Sequence, residues 1–220
     1  MSGSATRRDA QKQETRARIL RAAGELLMSE GIEGFSMRKL AAKIGYTATA
    51  IYFHFPDKDA LIAEIVDNQF LAFNRNFDRL AAIGDPVERL RKMAEAYVDF
   101  SLRHPEHYTF LFLTPAVNVL PRGALIERGN PAQDGYARLK ATIAEGLAAR
   151  RYREELRDAD QLAQIVWASI HGLVALHIVR GADKWVDWAA PRPTARLLID
   201  SMLRGIVRTD ARTPRERAES

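Results

Sequence analysis

Apolar positions recur along this chain at the three- and four-residue spacing of helices, and the pattern reads as an all-α protein. Ile19, Leu20, Ala23, Leu26 and Leu27 form one stripe that stops at Ser29-Glu30-Gly31, where the glycine suits a C-terminal cap. Ser36 then caps a short helix with Met37, Leu40, Ala41 and Ile44 inward, and Gly45 turns the chain. Thr47 starts a third helix with Ala50 and Ile51 inward, and Pro56 ends the run. Asp57 caps a long helix carrying Leu61, Ile65, Phe70, Phe73, Phe77 and Leu80, which ends at Gly84-Asp85-Pro86. Asp85, Pro86 and Glu88 start the next helix, which runs to about 104, and a short one follows to about 113. Residues 116–130 read as a loop containing a short helix, and further helices are expected over about 131–150, 158–181 and 194–209.

The helix over 158–181 is apolar nearly all round, so more than one of its faces must be covered. It lies either at the centre of one chain or against a second copy. Residues 1–14 show no apolar period and carry Arg7, Arg8 and Lys12, so a mobile arm is expected there, solvated or reaching DNA phosphates. The tail from Asp210 is short and polar, and is expected to be disordered.

The two short helices between Ser36 and Lys58 cannot bury themselves without the stripe on the first. Small Ala41, turn-opening Gly45 and the aliphatic plug Ile51 have the spacing of a helix-turn-helix. Any compact three-helix unit has a use for the same three residue types, so the motif alone does not decide between DNA binding and packing. Thr47, Ala48 and Thr49 lead the second helix of the motif, and none offers the bidentate base contact of Arg, Lys, Asn or Gln. Specificity then depends on Arg38, with Lys39 beside it on the preceding helix, and on DNA shape.

Composition narrows the picture modestly. With 47% hydrophobic and 28% charged residues in 220, the chain is long enough for a proper core. No apolar run of membrane-spanning length and no secretory leader is expected, so no membrane partner is foreseen and the cytoplasm is the default location. No cysteine is available for disulfides or thiolate metal sites. The formal charge of +5 permits an anionic partner without demanding one. His104 and His107 lie three apart, but Pro105 puts His104 outside the helix and no third ligand accompanies them, so neither a metal nor any other cofactor is expected. No nucleophile elbow, phosphate loop or evident carboxylate pair points to an enzyme.

The run FSMRKLAAKIGYTATAIYFHFPDKDALI, preceded by TRARILRAAGELLMSEGIEGF, closely resembles the N-terminal domain of the TetR family of transcriptional regulators. The residues that carry the likeness are Ile19-Leu20, Ala22-Ala23, Gly31, Phe35, Leu40-Ala41, Gly45 and Ile51-Tyr52-Phe53-His54-Phe55, followed by Lys58 and Leu61. Thr49 stands where that family often has glycine. Trp167, His171 and Gly172 resemble the Trp-His-Gly signature of one C-terminal subclass.

The resemblance implies a helix-turn-helix domain over 1–57 and a helical ligand-binding and dimerisation domain over 58–209, with Ser36, Tyr52, His54 and Lys58 on phosphates. It implies a homodimer on a double-stranded palindromic operator, a repressor released by a small-molecule effector. Its last two long helices would meet their partner's through Leu162, Val166, Ile170, Leu173, Leu198 and Met202. Candidate effector contacts are Phe73, Met93, Tyr97, Phe100, Phe110, Trp167 and His171, residues that serve equally as solid core. A lining of this kind favours a small apolar or aromatic ligand. A dimeric DNA-binding protein without an effector is the alternative.

Overall fold

The computed structural model describes residues 3–115 and 125–208; the expected polar tail and most of the expected loop after Thr114 lie outside them. Helices dominate, and among the described residues no strand forms beyond one isolated antiparallel bridge between Tyr152 and Val207. The chain divides into two compact units, one built from 1–70 with 106–126 and the other from 71–105 with 127–220.

In the first unit α1 (Gly3–Gly34), α2 (Met37–Ile44) and α3 (Ala48–Tyr52) enclose a core of fully buried Ile19, Leu27, Leu40, Ile51, Phe55 and Leu61. Expected caps are in place: the Ser36 hydroxyl accepts from Lys39 N–H, and the Thr47 hydroxyl accepts from Ala50 N–H. Gly45 sits at φ 71°, ψ 33°, the left-handed conformation its place in the turn requires. The Gly31 backbone leaves the helix at φ 70°, ψ 177°, a region only glycine occupies without strain. Arg16 grips Glu64 of α4 (Lys58–Asn74) with both terminal nitrogens and lies 4.6 Å over the Phe55 ring. The side chain of Arg18 donates to Ile44 C=O at 3.0 Å and so ties α1 to the end of α2.

Two expectations change in this unit. Residues 3–14 are helical, because Ala, Arg, Gln, Lys and Glu are good helix formers even without an apolar stripe to bury. Ala50 is exposed rather than inward. Phe53, directly after α3, is 75% exposed.

The second unit is formed by α5 (Pro86–Arg103), α7 (Gly135–Ala148), α8 (Ala159–Arg180) and α9 (Pro191–Ile206), around Leu90, Ile143, Leu162, Val174, Ile199 and Leu203. The short α6 (Pro105–Tyr108), from Glu106 onward, and its π-helical extension to Leu113 belong to the first unit. Asp85, Asp134 and Asp158 cap α5, α7 and α8 with their carboxylates, so α7 begins after Asp134 rather than at Pro131.

The long helix from Lys58 changes to a 3₁₀ segment, Arg75–Ala82, immediately after Asn74. No proline or glycine marks the change. The buried amide of Asn74 donates to Gln133 C=O, and Arg138 donates to Asn74 C=O at 3.3 Å.

The 22-residue α8 is, by length and composition alone, apolar enough to cross a membrane, contrary to expectation. Its apolar residues serve two sides: one side holds the buried Leu162, Val166, Ile170 and Val174, and the other leaves Ile165, Leu176 and Val179 exposed.

Tyr152 packs so closely on Gly146 that a Cβ there would strike its ring. The Tyr152 hydroxyl is buried without a hydrogen-bond partner; burial, with Asp85 adding to it, pushes its pKa up to about 12. An unfolded tyrosine ionises near pH 10, so the stability carried by the neutral ring is complete below that pH and is lost as pH rises towards about 12. Tyr152→Phe removes an unpaired polar group and is expected to leave stability unchanged or raise it by up to about 1 kcal/mol, whereas Gly146→Ala is expected to lower it by about 2 kcal/mol. Urea titration at neutral pH checks both.

Candidate functional site

The second helix of the helix-turn-helix, α3, shows how five residues present a surface. Ile51 is fully buried and anchors it; around that anchor Thr47, Thr49 and Tyr52 are exposed, and Ala48 is half-buried. Arg38, one turn into α2, is also exposed. The Ser36 and Thr47 hydroxyls each spend a lone pair on a backbone N–H, which leaves the hydroxyl proton free to donate to an anion. This first unit therefore displays a neutral, hydroxyl-rich helix beside one exposed guanidinium, the chemistry of methyl and phosphate contacts with a single strong donor for a base edge.

Two of the expected cationic contacts are already engaged. Lys39 pairs with Glu30 and donates to Gly34 C=O at 2.8 Å. Lys58 donates to Ile32 C=O at 3.0 Å and Phe35 C=O at 3.1 Å, with the Phe35 ring 5.7 Å away. These bonds hold the turn that follows Gly31, a use of lysine that no local pattern signals. His54 is half-buried, and its pKa is lowered by burial and by the charges of Lys12 and Arg16. Its neutral ring offers a hydrogen bond rather than a charge.

In the second unit the expected ligand residues fall into linked groups. Phe73 meets Tyr97 and Phe100 edge-on at 5.6 and 4.9 Å, and Tyr97 Oη lies 3.0 Å from His171 Nδ1. Trp167 stands edge-on to His171 at 5.8 Å. Burial holds the His171 pKa below the ordinary value, which keeps the imidazole neutral beside the phenol. Met93 lies apart from these contacts, with Thr142 Oγ1 3.5 Å from its sulfur, and lines a cavity of about 330 Å³ with Phe77, Leu80 and Ala141. Phe110 is buried in the first unit.

Of the residues expected at a dimer interface, Leu162, Val166 and Ile170 are 2–4% exposed within the second unit, whereas Leu173, Leu198 and Met202 are half-buried. The first three are core residues of the chain itself. Periodicity cannot set the phase of a helix that is apolar on every side, and the outward stripe is instead Ile165, Gly172, Leu176 and Val179, with Leu197 exposed on α9. Among the described residues nothing lies within 4 Å of a Cβ placed at Gly172, so no neighbour in the chain requires glycine there.

Comparison with known proteins matches residues 19–65 to the family described as bacterial regulatory proteins, tetR family, and residues 90–207 to the tetracyclin repressor-like C-terminal domain. The latter description does not name the Trp-His-Gly subclass. The chain is 29% identical over 102 residues to the HTH-type transcriptional repressor NicS of Pseudomonas putida, a match covering 46% of this chain and 48% of that protein. It thus spans about half the length of that relative. To the HTH-type transcriptional regulator TtgR, also of Pseudomonas putida, it is 24% identical over 197 residues, covering 80% of this chain and 89% of the other. The structure of SmeT, the repressor of the Stenotrophomonas maltophilia multidrug efflux pump SmeDEF, superposes with a TM-score of 0.67 at 21% identity, over 92% of this chain and 95% of that one. At that identity the superposition speaks for the fold.

Proposed function

Because the chain belongs to the TetR family and is a DNA-binding transcriptional regulator, we propose that it acts as a homodimeric repressor, released from a palindromic operator by a small apolar or aromatic effector. The observation that carries the DNA side is the exposed set Arg38, Thr47, Thr49 and Tyr52 arranged around buried Ile51. One such helix reads few base pairs, and two related by a twofold axis read half-sites about one helical turn apart. The stripe centred on Gly172 supplies the second surface: glycine lets another helix approach closely there, and Ile165, Leu176, Val179 and Leu197 provide the apolar contact around it.

The cavity beside Phe77 and Met93 supports an effector, and a ligand acts by favouring a conformation in which the two reading helices no longer match the half-site spacing. The edge-on packing of Phe73, Tyr97 and Phe100 favours the second reading, a body that is solid there and only dimerises. A domain division near residue 57, with reading residues before it and effector and dimer residues after it, belongs to the same proposal, as does a cytoplasmic location.

Selection of binding sites from a randomised duplex library tests the DNA side, and enrichment of a palindrome is the expected result. Arg38→Ala is expected to flatten the preference at one position of each half-site, a loss of about 1–3 kcal/mol in discrimination. Tyr52→Ala is expected instead to weaken binding to all sequences alike and to leave the salt slope unchanged, because the phenol donates to a phosphate without neutralising it. An unaltered site profile for the first variant, or an unaltered affinity for the second, removes that residue from its role.

A further inference from the structure

We infer that α1 carries a second DNA-contacting surface, made by Arg8 and Lys12, which extends the footprint beyond the helix-turn-helix; the inference rests on the DNA-reading role of the first unit. Helix α1 begins at Gly3, and from residue 7 onward its first buried residue is Ile19. Residues 7–18 bury no apolar side chain, so what they offer a partner is charge.

At 3.6 residues per turn, Arg8, Lys12 and Arg16 fall within about 40° of one line, whereas Arg7 lies about 140° away from Lys12. The phase of that line is fixed by Arg16, gripped by Glu64 and stacked on Phe55. One turn further out, Lys12 Nζ sits 5.4 Å from the ring centroid of Phe53, the residue directly after α3. The stripe therefore runs outward from the end of the reading helix.

Its positive potential reaches the candidate phosphate contact His54, whose pKa is lowered first by burial and then by Lys12 and Arg16. Among the described residues neither Arg8 nor Lys12 has an ion-pair partner, and both are exposed; the acids beside the stripe are Glu64, engaged by Arg16, and exposed Asp9. Two unpaired cations one turn apart, continuous with a DNA-reading helix, fit successive phosphates of a duplex and carry no base specificity.

The test is fluorescence anisotropy of the full chain on its selected operator, between about 50 and about 200 mM salt. The double variant Arg8→Gln/Lys12→Gln is expected to weaken binding about tenfold and to cut the slope of log K against log salt by about 1.8 per bound chain, about 0.9 for each phosphate lost. Arg7→Gln removes the same charge from the other side of the helix and is expected to leave the slope unchanged. The charge-preserving swap Arg8→Lys/Lys12→Arg is expected to keep the wild-type slope.

A double variant indistinguishable from Arg7→Gln overturns the inference. So does a swap that loses slope as the glutamines do, because the effect then belongs to the fold of α1 and not to its charge. A wild-type chain that binds no duplex at either salt removes the DNA-reading role itself, whereas one that binds indifferently to Arg8 and Lys12 removes the inference alone.

Discussion

Lysine at both Leu176 and Leu197 is expected to give a folded chain that sediments as a monomer and loses operator affinity by about a hundredfold or more. Both side chains are more than half exposed, at 55% and 64%, so a charge at either place meets water in the single chain and costs its fold little. In a dimer closed by the stripe around Gly172 the same charges are buried unpaired, which is costly. Separated reading helices then lose the effective concentration that links two half-sites, an advantage of about 10²–10⁴. Lysine at Ile170 is the informative contrast. That side chain is 4% exposed inside the second unit, and the variant is expected to unfold the unit rather than divide a dimer. Sedimentation with circular dichroism separates the outcomes; a folded dimer carrying both lysines places the interface elsewhere.

Gly31→Ala is expected to destabilise the first unit by about 2 kcal/mol and to weaken DNA binding with it. Nothing lies within 4 Å of a Cβ built at Gly31, so the cost is not steric crowding by neighbours. It comes from φ 70°, ψ 177°, which an L-residue cannot adopt without strain. Relief of that strain shifts the following turn, whose Ile32 and Phe35 carbonyls accept from Lys58 and which leads directly into the Ser36 cap of α2. Lys58→Ala attacks the same turn from the other side. A fall in thermal midpoint for both variants, with DNA affinity falling in parallel, is the expected pattern; Gly31→Ala with wild-type stability refutes the backbone argument.

Much of the first unit was legible because its signals are local. Ser36 and Thr47 as caps, Gly45 as the left-handed residue and Ile51 as the plug all follow from residue type and spacing over a few positions. The exposure of Phe53 was not legible, since nothing in an aromatic residue after a short helix says which side it leaves by; Lys12 beneath its ring is a distant partner. Lys58 reads as an exposed cation until the chain folds back and brings two carbonyls to it. In the second unit the Asp85 and Asp158 caps were legible, but the end of α4 at Asn74 depends on Gln133 and Arg138, some sixty positions along. The facing of α8 escaped for a different reason: with apolar residues on all sides the periodic signal has no direction, and only packing decides that Ile170 turns inward and Leu176 outward.

The bare side of α8 bears on gene dosage. When two chains must meet to cover Leu176 and Val179, the number of complete DNA readers follows the square of the chain's concentration while dimers are scarce. Halving expression then removes about three-quarters of them, so a promoter under this protein responds to its level as a threshold rather than in proportion.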